Sequence, residues 1–244
     1  MIDTKNRVQE LFAVGAHFGF VKSRRHPSAK PFIFGKKGEN EIFDLEKTSA
    51  ELEKALKFIE EKGKEGATMM LVGGKAPARE AIEKTGKELS MPYVSGRWIG
   101  GTLTNFSEIK RRLAKLEELT TARERGELAK YTKKERLLID REIERLEKYF
   151  GGITNLKFLP KLLVVVDPKK EYIAVAEAKK IKIPVVALCG SDSNLKEITY
   201  AIPANNASRQ TINFILEEIK TAYNKGLTLR AQENKEDNGN GRTD

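Results

Sequence analysis

Cysteine is almost missing from this chain of 244 residues. The single example, Cys189, has no partner for an intrachain disulfide and rules out a zinc site built on several thiolates. That scarcity fits a reducing, cytosolic setting. Histidine is nearly as rare. His17 and His26 are the two present, and with Asp44 they make a weak ligand set for a metal. Long apolar runs are absent too, and none approaches the roughly 18 residues that cross a bilayer. The opening "MIDTKNRVQELF" lacks the apolar centre of a secretory signal. No membrane role, metal or cofactor is expected.

Charge is abundant. Charged residues make up 33% of the chain against 39% apolar, which suggests a folded body plus a solvated charged element. The net charge of +10 favours a polyanionic partner, nucleic acid first. The excess is concentrated at the front, where residues 1–37 hold eight Lys/Arg against two Asp/Glu.

The hydropathy pattern sets the architecture. A short helix is expected from about Arg7 to Gly15. A basic stretch, Val21–Pro31, is expected to lack regular structure. A hairpin of Phe32–Phe34 and Glu41–Phe43 follows, with Lys36 and Lys37 at its tip. Beyond it, buried strands ("TMMLVGG", "MPYVSGRW", "KLLVVVDP", "IPVVALCG", "AIP") alternate with amphipathic helices. Unbroken apolar strands between helices predict a parallel α/β sheet covered on both faces.

Residues 106–150 break this rhythm. Phe106, Ile109, Leu113, Leu116 and Leu119 recur at steps of three or four, as do Ile139, Ile143, Leu146 and Phe150. Two helical arms with a narrow apolar seam are expected, joined near Gly126, with Thr132 and Glu135 forming a capping box. Each arm of about 18 residues would be about 27 Å long. Charge dominates the other positions, so the hairpin is expected to project from a body of residues 1–105 and 151–226. Residues 227–244, polar and glycine-containing, are expected to be disordered.

No catalytic constellation emerges. Cys189, Ser191 and Asp192 follow a strand end, but no histidine is near in sequence and no nucleophile elbow is present. Gly73-Gly74-Lys75 lies between strand and helix, where phosphates bind, yet matches neither dinucleotide nor P-loop spacing. Three readings of that turn stand open: a fold-serving turn, a nucleotide site of an enzyme, or a nucleic-acid contact by Lys75. Lys22, Arg24, Arg25 and Lys30, followed by Lys36 and Lys37, suit phosphate tracking, with His26 satisfied internally or facing RNA. The stretch "RWIGGTLTNF", Arg97–Phe106, reads as a hinge between strand and first arm. Gly100-Gly101 supply the turn and Asn105 the helix cap.

Several stretches taken together resemble one family. They are "LFAVGAHFGF", "KPFIFGKKGENEIFDLEKT", "LVGGKAPAREAI", "YVSGRWIGGTLTNFSEIKRR", "EIERLEKYFGGITNL", "LPKLLVVVDPKKEYIAVAEAKKIKIPVVAL" and "YAIPANNASRQTI". In order and spacing, over about residues 5–225, they are similar to the second protein of the small ribosomal subunit in its bacterial form. The resemblance implies a flavodoxin-like doubly wound sheet with a projecting antiparallel coiled-coil hairpin. It implies a structural, non-enzymatic role on the small subunit near the head–body junction, in the cytoplasm. Small-subunit ribosomal RNA and neighbouring ribosomal proteins would be its partners. The family also helps retain the large OB-fold protein that captures mRNA. Arg97, Thr102 and Thr104 then become RNA-contact candidates, with Lys110 and Arg111 at the start of the first arm. The chain departs from the family at Phe20, where a second histidine is usual, in "GSDSNL", and in "PANNAS", where Ala204 replaces glycine and Asn206 and Ala207 replace acids.

Overall fold

The computed structural model describes residues 4–240. Helix α1 (Thr4–Ala13) leads into strand β1 (Phe18–Val21), which pairs antiparallel with β3 (Asn40–Phe43), itself paired with β2 (Ile33–Lys37). The stretch expected to lack regular structure thus begins in a strand and continues as two short 3-10 turns, Lys22–Arg24 and Pro27–Phe32. The reason is local: His26 Nδ1 accepts the Ser28 N–H at 3.2 Å and caps the second turn, with Pro27 in its first position. The hairpin turn is tighter than expected. It narrows to Gly38-Glu39, with Gly38 at φ +63°, so Lys36 and Lys37 end strand β2 instead of lying in a loop.

The main sheet is parallel and five-stranded, in the order β5-β4-β6-β7-β8: Tyr93–Val94, Met69–Val72, Leu162–Val166, Val185–Cys189 and Tyr200–Pro203. This is the doubly wound, flavodoxin-like order, with its switch point between β4 and β6. Strand side chains alternate between two cores. Met69, Leu71, Val164 and Val186 pack under α2 (Leu45–Lys64), α3 (Ala76–Glu88) and α7 (Arg209–Asn240). Met70, Val72, Val165 and Ala187 pack under α6 (Tyr172–Lys180) and the helical insertion.

In the insertion, α4 (Phe106–Glu124) and α5 (Lys133–Phe150) carry the expected seam residues into the second core. Burial is concentrated at the base, in Ile109, Leu113, Leu116, Ile143, Leu146 and Phe150, while Leu137 and Leu138 farther out are half exposed. The Thr132–Glu135 capping box forms in both directions. Lys115 pairs with Glu142 across the two helices at 3.4 Å.

The end of the chain differs from expectation. Helix α7 runs on to Asn240, so the supposedly disordered tail continues as helix from residue 227, and 241–244 lie outside the described residues. A Lys64–Glu233 ion pair ties this extension to α2. The two helices cross through glycines: a Cβ on Gly226 would collide with the Glu60 carbonyl oxygen, and one on Gly63 with that of Tyr223.

The joint at Arg97–Phe106 is built on a single carboxylate. Glu177 of α6, 8% exposed, accepts hydrogen bonds from the backbone N–H groups of Gly101 (2.7 Å), Leu103 (2.9 Å) and Thr104 (3.1 Å). Trp98 Nε1 and the Thr104 hydroxyl also donate to it, each at 3.2 Å. Burial alone would raise its pKa, but the Gly101, Leu103, Thr104 and Trp98 donors together hold it below the usual carboxylate range. Gly101 has φ +92°, whereas a Cβ on Gly100 would meet nothing within 4 Å, so the requirement for glycine is conformational and falls on Gly101. Asn105 precedes α4 without a side-chain cap bond, so the carboxylate, not the expected cap, fixes the helix entry.

Three substitutions test this architecture. Glu177→Gln turns one acceptor into a donor facing N–H groups and should cost about 2–4 kcal/mol in urea unfolding. Because the folded pKa of Glu177 lies below 4.5, its contribution is complete above pH 4.5 and lost as pH falls through the folded value. The difference between wild type and Glu177→Gln should therefore shrink in acid. Gly101→Val should loosen hydrogen-exchange protection in α4 and α5 before that of β4, β6 and β7. Gly226→Ala should destabilise the whole chain by about 1–3 kcal/mol, read as a lower urea midpoint, despite alanine's better helix propensity.

Candidate nucleic-acid interface

The carboxyl ends of the parallel strands are where such folds bind ligands. Here that edge is divided. Over β6, β7 and β8 it is plugged by the amino-terminal segment. The Phe20 N–H donates to Ser191 Oγ (2.9 Å), the His26 N–H to the Ser191 carbonyl (2.9 Å), and the Leu195 N–H to Ser28 Oγ (3.0 Å). Phe20 lies beneath two cations: the Arg24 guanidinium 4.2 Å and the Lys75 ammonium 5.6 Å from its ring centre. Asp192, 8% exposed, pairs with both Arg24 and Lys169 at 3.0 Å.

The candidate residues separate into two groups. Arg25 is turned inward against the fully buried Glu41 at 2.7 Å. His26 serves the turn at Ser28. Lys75 pairs with Asp167 at 3.0 Å and reaches Asn206 Oδ1 at 3.4 Å. Thr102 is 2% exposed and donates to the Ile99 carbonyl at 2.6 Å. These four build the fold. Lys22, Arg24, Lys30, Lys36, Lys37, Arg97, Thr104, Lys110 and Arg111 are exposed. Among them Arg24 is also held by Asp192 and Thr104 by Glu177, Arg111 pairs with Glu108 at 2.7 Å, and Lys110 lies 5.0 Å from the Phe106 and 5.7 Å from the Phe158 ring centres.

The features considered for catalysis and metal binding have structural partners. Cys189 is fully buried, and burial raises its thiol far above the range where a thiolate forms. Ser191 accepts the Phe20 amide, and Asp192 is committed to its two cations. His17 stacks on Phe12 with ring centres 4.5 Å apart, and burial, then the Lys37 charge, lowers its pKa. No group of three His, Cys, Asp or Glu side chains with metal-holding geometry occurs among the described residues, and no helix there is long and apolar enough to cross a membrane.

Sequence reasoning missed the organising acids. Glu177 interrupts the apolar face formed by Ala174, Val175 and Ala178, and an acid on such a face is the available signal. Glu171, 5% exposed, accepts the Gly74 N–H at 3.1 Å, and burial raises its pKa despite that bond. It explains the glycine: a Cβ on Gly74 would meet the Gly96 carbonyl and the Glu171 carboxylate.

Comparison with known proteins identifies the family. The family model described as Ribosomal protein S2 matches residues 11–226. A Coprothermobacter proteolyticus protein named small ribosomal subunit protein uS2 is 41% identical over 219 residues, covering 90% of this chain and 82% of that one. Proteins of the same name from Nitratiruptor (39% over 226 residues, 93% and 85% covered) and Thermus thermophilus (41% over 209, 86% and 82%) are similarly related. The chain belongs to the ribosomal protein S2 family.

Proposed function

We propose that this chain is a structural, non-catalytic constituent of the small ribosomal subunit, working in the cytoplasm, that binds small-subunit ribosomal RNA through the exposed cations of its amino-terminal sheet and joint. Family membership supports the ribosomal role. The observation that carries the RNA reading is the separation of cations: inward ones are neutralised by Glu41 and Asp167, while Lys22, Lys30, Lys36, Lys37 and Arg97 stay exposed and have no ion pair among the described residues. A rigid α/β body presenting solvated lysines suits contact with phosphates more than reading of bases.

The same reading includes neighbouring ribosomal proteins as partners. It also includes docking of the mRNA-capturing OB-fold protein, for which the exposed Phe12, Phe18 and Phe34 offer apolar surface on the amino-terminal region. The body, residues 1–105 and 151–226, would hold the RNA, and the projecting hairpin of residues 106–150 would reach a second neighbour.

Replacing Lys22, Lys30, Lys36 and Lys37 together by alanine should weaken rRNA-fragment binding and flatten the plot of log affinity against log salt by about 3 units. Unchanged slope would remove this surface from the interface. Arg25→Ala should act differently, lowering the unfolding midpoint by stranding buried Glu41.

A further inference from the structure

The amino-terminal plug covers only part of the strand-end crevice. Over β4, β5 and the start of α6 a cleft of about 320 Å³ stays open, lined by Gly74, Arg79, Gly96–Trp98 and Lys170–Ile173. It lies where the segments after β4, β5 and β6 meet, beside the switch point of the sheet. Its volume is at the lower end of the roughly 300–1,000 Å³ of ligand sites, which suits a small occupant.

The lining is cationic with an aromatic wall. Arg79 Nε and Lys170 Nζ both donate to the Gly74 carbonyl, at 3.0 and 3.4 Å, which fixes two positive groups on one side. Arg97 is exposed and makes no hydrogen bond or ion pair among the described residues. The one acid, Glu171, is buried and committed to the Gly74 N–H. Tyr172 is 65% exposed, a large ring left to solvent at the head of α6, whose dipole adds to the positive potential. Guanidinium groups clamp phosphate bidentately, and an exposed ring gives a base something to stack on.

We propose that this cleft binds one nucleoside phosphate, with the phosphate among Arg79, Arg97 and Lys170 and the base against Tyr172. The source is either an unstacked residue of an RNA strand or a free nucleotide; the first deepens, and rests on, the RNA-binding reading. Trp98 is the only tryptophan of the chain and lines the cleft, so its emission reports occupancy.

The test titrates the full chain at low salt with adenosine 5′-monophosphate, inorganic phosphate and single-stranded oligoadenylate, following Trp98 fluorescence. Expected is a saturable change with the nucleotide, the oligonucleotide or both, and at least tenfold weaker binding of phosphate alone. A change with the oligonucleotide only assigns the strand as the source, and a change with the mononucleotide assigns the free ligand as well. Arg97→Glu and Tyr172→Ala, both at exposed positions, should each weaken binding at least tenfold without moving the thermal midpoint. The Lys36→Ala, Lys37→Ala double variant should leave mononucleotide binding unchanged. The proposal is overturned if no nucleotide probe alters Trp98 emission, or if both cleft variants bind as wild type. Retained salt-dependent binding of an rRNA fragment by filter retention, alongside such a negative result, leaves the RNA-binding reading standing. Loss of fragment binding by the unmodified chain would fail that reading separately.

Discussion

One buried carboxylate holds the joint between body and insertion. Glu177 gathers three backbone N–H groups, an indole and a hydroxyl from the seven residues Trp98–Thr104. Without an acceptor there, a segment leaving β5 would carry buried donors with no partner, and its path would be undetermined. With it, the entry to α4 is fixed relative to α6, and through α6 to β6 and β7. Trp98 and Leu103 then close the second core, which continues into the base of the helical hairpin. The direction of the insertion thus depends on a residue more than 70 positions beyond the joint that it fixes.

A similar economy operates at the strand ends. The residues that look most suited to phosphate, Arg25 and Lys75, neutralise Glu41 within the amino-terminal sheet and Asp167 within the large one. The cost of burying an acid is offset by a cation already needed for the fold. Lys22, Lys30, Lys36 and Lys37 are left with no ion pair among the described residues, and these have the solvation and freedom that a phosphate contact requires. Composition counts both kinds of cation alike; only burial distinguishes them.

The parallel sheet, its flanking helices and the seam of the insertion were legible because each obeys a simple period. "LLVVV" and "VVALC" cannot be solvated, and Ile109, Leu113 and Leu116 recur at helical spacing. What was illegible depends on distant partners. Strand β1 exists because Phe18 and Val21 pair with β3, not because "FGFV" alternates clearly. The turn at Pro27 depends on His26 as a cap, and the open cleft on three loops far apart in sequence. The continuation of α7 past Gly226 went unseen because glycine there reads as a helix stop, whereas its role is close approach to α2. Candidate cations were identifiable by type, but their inward or outward orientation was not.

Helix α7 has a consequence for how the chain is made. Ile212, Ile215, Leu216, Ile219 and Tyr223 supply much of the first core, and Glu218 on the same helix pairs with Arg7 of α1. A chain synthesised from the amino end therefore leaves this layer, already partly covered by α2 and α3, incomplete until residues near 223 have emerged. Folding of that layer cannot finish stepwise as each strand appears. It waits for the last helix, and the strip that α7 covers beside α2 and α3 stays open until then.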